Sequence, residues 1–591
     1  MKKINKFVES NQLPLLIFFI SMFLFISFAG TRLFFSDEGI ILDQFYNLIN
    51  GSLALKIAKI NVEKGIFMTI GTNLYGKFSY SLLILSLPTY YILKIIDHIY
   101  SAHLFILQLW AVIGGIVVFL SGKIRNIKHP KVWGIIAYLI LAITNQYFFK
   151  SIYFPKWGEL LSIEFTNIII SSFLILIIYL FFRNFFSNKI ALFASFFIMF
   201  ATPIPFYAIT LKHHNLTLLL TLLSFYFFYK SYEKKDNKFI YLAYISAGLC
   251  LWTRILDGSV LLVSLLIIDF VIFRRSIKYI LSISIVILIS LLPFFVFNYL
   301  ILGDPFSIIE RTPLTSEPVS LITAKEFIVL DVNQNSARQV QLLNDLGYTW
   351  NGKIKGYWFE VIGYSLFSKL INTFGIFLVS PFLIAALGFI VYGVKGKIKL
   401  NPVDKLLGLY TMLLFGSYAL LQIFFDIRSL ISIITDTPSG LDYRYLLILY
   451  IVFLYFCLRM DNVRELIENN LKTILVYYGI IFIIMLSYFI IEFPVLFIGI
   501  YYYMAIITSI FLVILISLRP FISNKKNKKN KKALLNRSLS FIMALSLAEA
   551  SFFLLFYYWV VTMTYISPSQ NYTILPVMGK IINWMYQIII Y

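Results

Sequence analysis

The sequence predicts an all-α polytopic membrane protein with about 13 transmembrane helices, on three observations. Apolar residues make up 60% of the 591 positions and charged residues only 13%, against about 45–50% and about 25% in a soluble domain. Apolar runs near the roughly 20 residues that cross a bilayer follow one another from Leu13 to Ile590. They are apolar on every side, without the stripe of a soluble amphipathic helix. The net charge of +22 is gathered between the runs, a pattern of membrane topology and not of a nucleic-acid-binding face. Cys250 and Cys457 both lie inside apolar runs, so neither a disulfide framework nor a thiolate metal site is expected.

Taken in order, the basic residues of 1–6 keep the amino terminus inside, and the run 13–34 exits as the first span. It is full length with no small-residue cleavage site behind it, so it is expected to stay. The run 80–96 contains Pro88 and closely precedes the run 102–120. If 80–96 spans, the loop with Lys123, Arg125, Lys128 and Lys131 falls outside. As an interfacial helix on the outer surface, 80–96 leaves that loop inside, with the basic segments 183–189, 230–238, 274–278, 395–405, 459–472 and 524–532. Loop charge selects this second arrangement.

The expected layout is a transmembrane region 1–522, a basic cytoplasmic linker 523–536, and a last span with an outer tail over 537–591. The transmembrane region carries a first outer loop 35–101 with interfacial helices and a long outer loop 302–373. Shorter polar segments reach the same face near 150–164, 202–215, 252–258 and 426–444. No matched Gly/Pro-broken spans suggest a midplane transport site, and few ionisable residues fall mid-span. Chemistry belongs on the outer face.

There, "SDEGIILDQF" sets Asp37, Glu38 and Asp43 just past the first span. Two readings stay open. Ser36 or Asp37 caps a helix, or a partly desolvated carboxylate gains the basicity to take a proton from an acceptor hydroxyl. "KSIYFPKWGELLSIEF" adds Glu159, with Glu164 a helical turn later. Either acid is a candidate to orient an acceptor or, with the Asp37 pair, to hold a divalent cation, although oxygen ligands alone do not identify a metal. "YAITLKHHNLT" offers Lys212, His213 and His214, "LWTRILDG" offers Arg254 with Asp257, and Arg444 precedes a late span. Such cations hold a lipid phosphate or simply snorkel to the interface. No third ligand is spaced to make the His pair a zinc site.

These pieces together resemble the GT-C membrane glycosyltransferases, among them the protein O-mannosyltransferases and aminoarabinose transferases. The acid pair after the first span resembles the start of those proteins. "YGKFSYSLLILSLPTYYIL" is similar to their aromatic, Lys-containing stretch leading to a surface helix. "FNYLILGDPF" resembles their span exit, "INTFGIFLVSPFLIAALGF" their re-entry, and "GLDYRYLLIL" the Gly-x-Arg-Tyr segment before a late span. The ordered set covers roughly residues 13–454.

The resemblance implies a polyprenyl-phosphate-linked sugar donor, an acceptor at the outer leaflet, and no certain cofactor. It carries the base or acceptor-orienting role to Asp37 and more loosely to Glu38, the second-loop acid to Glu159, and phosphate binding to Arg254 and Arg444 with Lys212 and His213. Tyr75, Lys77, Tyr153 and Trp157 are candidates for a sugar or acceptor pocket. Metal dependence varies within the family. No Trp-Trp-Asp-Tyr-Gly motif is present, so transfer of whole glycans to Asn sequons is not expected. The partners implied are membrane lipids, the donor and an unidentified acceptor. Two rival readings are a lipid or solute transporter, which would line both halves of the bilayer with polar groups, and a catalytically inactive scaffold.

Overall fold

A computed structural model describes residues 12–31, 33, 36–60, 67–148, 152–273, 276–307, 314–315, 322–328, 366, 369–370, 373–394, 399–424, 446–491, 494–523 and 529–564. The chain enters as helix α1 (Gln12–Phe28), followed by α2 (Ser36–Ile49), a set of short strands and α3 (Ser81–Ile99). Helices α4 (Ala102–Ile124) and α5 (Pro130–Phe148) form a hairpin, and α6 (Phe154–Arg183) follows. Next come α7 (Asn188–Phe200), α8 (His214–Lys234), α9 (Asn237–Thr253), α10 (Ile255–Leu266) and α11 (Ile277–Leu302). The remainder holds α12 (Pro402–Phe424), α13 (Ile448–Arg459), α14 (Asp461–Ile491), α15 (Pro494–Ser523) and α16 (Lys529–Thr564).

Six helical stretches among the described residues are long and apolar enough to cross a membrane: Ser81–Ile99, Ala102–Ile124, Phe154–Arg183, Lys278–Leu302, Asp461–Ser487 and Ala533–Leu555. Shorter apolar helices such as Gln12–Phe28 and Asn188–Phe200 accompany them. The protein is thus a mostly helical, polytopic membrane protein. A helix can cross lipid because it satisfies its own backbone polar groups.

Helix α6 is the centre of the bundle. It packs against α1, α3, α7 and α8, and its 30 residues, about 45 Å of helix, are largely buried. Helix α11 is peripheral, with Leu281, Ile285, Leu288, Leu292 and Val296 exposed along one side, the stripe a lipid-facing helix presents. It ends where Gly303 turns left-handed (φ 73°), a conformation that glycine adopts without strain. Asn298 Nδ2 then donates to the Ser307 carbonyl at 2.8 Å and secures the exit turn.

Beyond the expected helices, strands form between α2 and α3. β1 (Ile57–Ile60), β2 (Phe67–Ile70) and β3 (Asn73–Gly76) precede α3, and the long loop supplies β4 (Leu314–Thr315) and β5 (Ile322–Ile328). β1 pairs in parallel with β5, Ile57 opposite Ile322, while β2 pairs antiparallel with both β3 and β4. The two loops therefore share strands. β1 and β2 each gain a partner some 250 residues away in sequence, and no local pattern announces those two pairings, whereas β2 and β3 form a local hairpin. Helix α16 begins at Lys529, inside the segment read as a linker.

A close approach joins α9 to α10. A Cβ on Gly258 would lie 2.1 Å from the Leu251 Cα and 2.2 Å from its backbone nitrogen. Backbone cannot yield as a flexible side chain does, so Gly258→Ala is expected to destabilise the fold by about 1–3 kcal/mol or more. Thermal unfolding in detergent beside a Gly393→Ala control, whose Cβ meets nothing within 4 Å, checks this.

Candidate functional site

Helix α2 carries the acid pair at its start. Asp37 is its second residue, and its side chain lies outside the described set. Glu38 is fully buried, and its Oε1 accepts from the Leu211 backbone N–H at 2.8 Å. Asn167, on α6, grips the same strand of chain from another side. Its Nδ2 donates to the carbonyls of Tyr207 (2.8 Å), Thr210 (2.9 Å) and Lys212 (3.2 Å). One helical turn earlier, Glu164 Oε1 accepts from the Gly30 N–H at 3.0 Å. A buried polar seam thus runs from α2 along one face of α6.

The cations gather around this seam. Lys212 is buried, with Nζ 5.2 Å from the centre of the Phe78 ring. Beside Phe78, Lys77 is half-exposed and makes no ion pair among the described residues. Ser79 Oγ donates to the Trp252 carbonyl at 2.8 Å, which brings this stretch to the end of α9. Two residues on, Arg254 caps α10 and pairs with Asp257 at 3.1 Å. Cys250 Sγ sits 3.9 Å from the Thr217 carbonyl, so Arg254 and His213, each about one turn further, stand level on neighbouring helices. His213 caps α8, and its ring lies 5.8 Å from that of His214. Glu38, Lys77, Lys212, His213 and Arg254 therefore occupy one end of the bundle.

Glu159 is engaged elsewhere. Its Oε2 lies 3.2 Å from Lys59 Nζ, and both side chains are buried. Lys59 Nζ also donates to the Pro155 carbonyl at 2.8 Å and lies 4.8 Å from the centre of the Tyr46 ring. The backbone N–H groups of Lys59 and Ile60 donate to Asp43 Oδ1 at 2.6 and 3.2 Å. Burial pushes the Asp43 carboxyl up to about 7, against the opposing pull of these two N–H groups and of the Lys59 charge. Trp157 is buried beneath Lys156, whose Nζ is 5.6 Å from its ring centre, whereas Tyr153 is exposed at the start of α6. Tyr75 is buried on β3, opposite Met68. Arg444 lies outside the described residues.

Asp43 gives a pH dependence whose sign follows from its raised value. The folded chain holds a proton at Asp43 that the unfolded chain, with an ordinary carboxyl near 3.8, releases. Its stabilising contribution is full below about 4 and is lost as pH rises through about 7. Asp43→Asn keeps an acceptor oxygen for the two N–H groups and removes the titration. The unfolding temperature of the parent protein should fall from about pH 5 to about pH 8, and the variant should flatten that slope.

Sequence reasoning named the acids and cations but not Lys59 or Asn167. Lys59 stands in a stretch, IAKI, that carries no motif. Asn167 left a signal, as a polar residue three positions after Glu164 inside an apolar run. Among the described residues no group of three His, Cys, Asp or Glu side chains is arranged to hold a metal. Glu159 is paired with Lys59 and Glu164 with the Gly30 N–H.

No curated protein and no solved structure matches the chain. Residues 158–298 match the family model for dolichyl-phosphate-mannose-protein mannosyltransferase. That stretch carries Glu159, Glu164, Asn167, Lys212, His213 and Arg254, and it begins well after the acid pair. Over residues 158–298 the chain is similar to the dolichyl-phosphate-mannose-protein mannosyltransferases, a family of membrane glycosyltransferases that use lipid-phosphate sugar donors.

Proposed function

We propose that the protein transfers a sugar from a polyprenyl-phosphate donor to an acceptor hydroxyl at the outer face of the membrane, with inversion. The observation that carries this reading is the Glu38–Leu211 hydrogen bond, which sets the start of α2 beside the segment bearing Lys212 and His213. Glu38 is buried and committed to a backbone N–H, so its role is to hold α2 in place. The neighbouring Asp37 is the base. Its carboxylate takes the acceptor proton as the acceptor oxygen bonds to the sugar anomeric carbon. The bond from that carbon to the phosphate oxygen breaks, and its electron pair leaves with the polyprenyl phosphate. Lys77, Lys212, His213, Arg254 and Arg444 neutralise the phosphate as it departs. Tyr75, Tyr153 and Trp157 lie among the elements around the acceptor and sugar.

The topology follows the same frame, with about 13 spans and the site outside. Helix α3 lies along the outer surface in this arrangement. Support comes from its two ends: Ser79, just before it, bonds to the end of α9, and Tyr100, just after it, accepts from Gln146 at the end of α5. In an alternating bundle both of those helix ends reach the same side.

Incubating the purified protein with labelled polyprenyl-phosphate sugars and membrane-derived acceptors tests the proposal. Transfer is expected, and Arg254→Gln should raise the donor KM. No transfer with any donor would favour the scaffold or transporter readings.

A further inference from the structure

We propose that Lys59 is a positioning residue, which sets α2 and its acid pair in register with α6. The proposal rests on the glycosyltransferase reading above. Its ground is a closed ring of contacts. Glu38 holds the Leu211 N–H. Asn167 holds the carbonyls of Thr210 and Lys212 on either side of Leu211. Asn167 and Glu159 belong to the same rigid helix, α6. Glu159 pairs with Lys59, Lys59 and Ile60 donate their N–H groups to Asp43, and Asp43 returns the ring to α2, five residues past Glu38.

Lys59 joins α6 to α2, through Nζ to Glu159 and through its backbone N–H to Asp43. It also carries the register onward, since β1 pairs with β5 of the long loop. A buried ion pair adds little net stability over apolar residues of the same shape, and fixing register is its best-attested use. The Lys59 side chain has no freedom to do anything else. Nζ is held by a carboxylate, a carbonyl and an aromatic face at once. With its charge removed, α2 keeps its hydrogen bonds to β1 but loses the Lys59–Glu159 link to α6, and the start of α2 can turn against the 207–212 segment.

The test uses the full chain in detergent or nanodiscs, as Lys59→Met, Lys59→Arg and Glu159→Gln, with two readouts. The first is amide hydrogen exchange at Leu211, which reports the Glu38 contact without any substrate. The second is the split of sugar transfer into kcat and donor KM. Lys59→Met and Glu159→Gln are expected to speed exchange at Leu211 and to lower kcat by about 10- to 100-fold at unchanged KM, as a small misplacement of reacting groups does. Lys59→Arg should recover most of both. Unchanged exchange at Leu211 in a folded Lys59→Met or Glu159→Gln protein overturns the proposal, as does a loss confined to KM. If Lys59→Met does not fold, Glu159→Gln and Lys59→Arg decide by the same readouts. Should the parent protein transfer no sugar, the functional reading fails, and the exchange at Leu211 still decides the ring.

Discussion

Asp37→Asn is expected to lower sugar transfer by about 100- to 10,000-fold, the usual contribution of a general base, with fold and donor binding retained. The replacement has the same shape, keeps a good residue at the helix start, and removes only the proton acceptor. Losing one negative charge near the first turn of α2 costs about 0.3–1 kcal/mol, far too little to unfold the bundle. Activity and stability are therefore separable. Single-turnover transfer beside a thermal unfolding curve measures both. Glu38→Gln provides the contrast: its remaining carbonyl oxygen can still accept from Leu211, so its loss should be much smaller. Glu38→Ala strands that buried N–H and should cost about 1–3 kcal/mol of stability. Normal transfer by Asp37→Asn would remove Asp37 from the mechanism.

Arg459→Ala is expected to destabilise the protein by about 3–5 kcal/mol, the cost of stripping the partner from a buried charge. Arg459 reaches Asp404 with two nitrogens, at 3.1 and 2.9 Å, and the Asp404 side chain is fully buried. Tyr455 also donates to Asp404 at 2.8 Å. Asp404 does a second job at the start of α12, where Asn401 and Asp404 each accept the other's backbone N–H and Pro402 takes the first helical position. This cluster lies far from the acids. The Tyr455 ring packs on Phe181 and Phe182 in the last turn of α6, while Glu159 and Glu164 stand near its beginning. Arg459→Ala should thus lower the unfolding temperature while surviving folded protein keeps its donor KM. A lowered temperature together with a raised KM would show that the two ends of α6 are coupled.

How legible the site was depended on the range of each interaction. Asp37 and Glu38 stand out because charge at the edge of an apolar run is a local contrast. Lys212, His213 and Arg254 stand out for the same reason. The role first given to Glu159 had no such support, since its Lys59 partner is 100 positions away and carries no motif. The β1–β5 and β2–β4 pairings were invisible because their strands come from different loops, while the β2–β3 hairpin is local. Asn167 was visible as a polar residue in a span, but its three carbonyl partners were not.

The sequence by itself determined that the chain lives in a membrane, which loops are basic, and where carboxylates and cations meet a boundary. Those properties are sums over neighbouring residues, and hydropathy and charge need no partner to be expressed. Tertiary structure alone decided that Glu38 clamps a backbone N–H 173 residues away, that Glu159 is paired with Lys59, and that the two long loops share strands. Each of these is a contact between distant parts of one chain, and burial, which makes an unpaired polar group costly, settles which partner it takes.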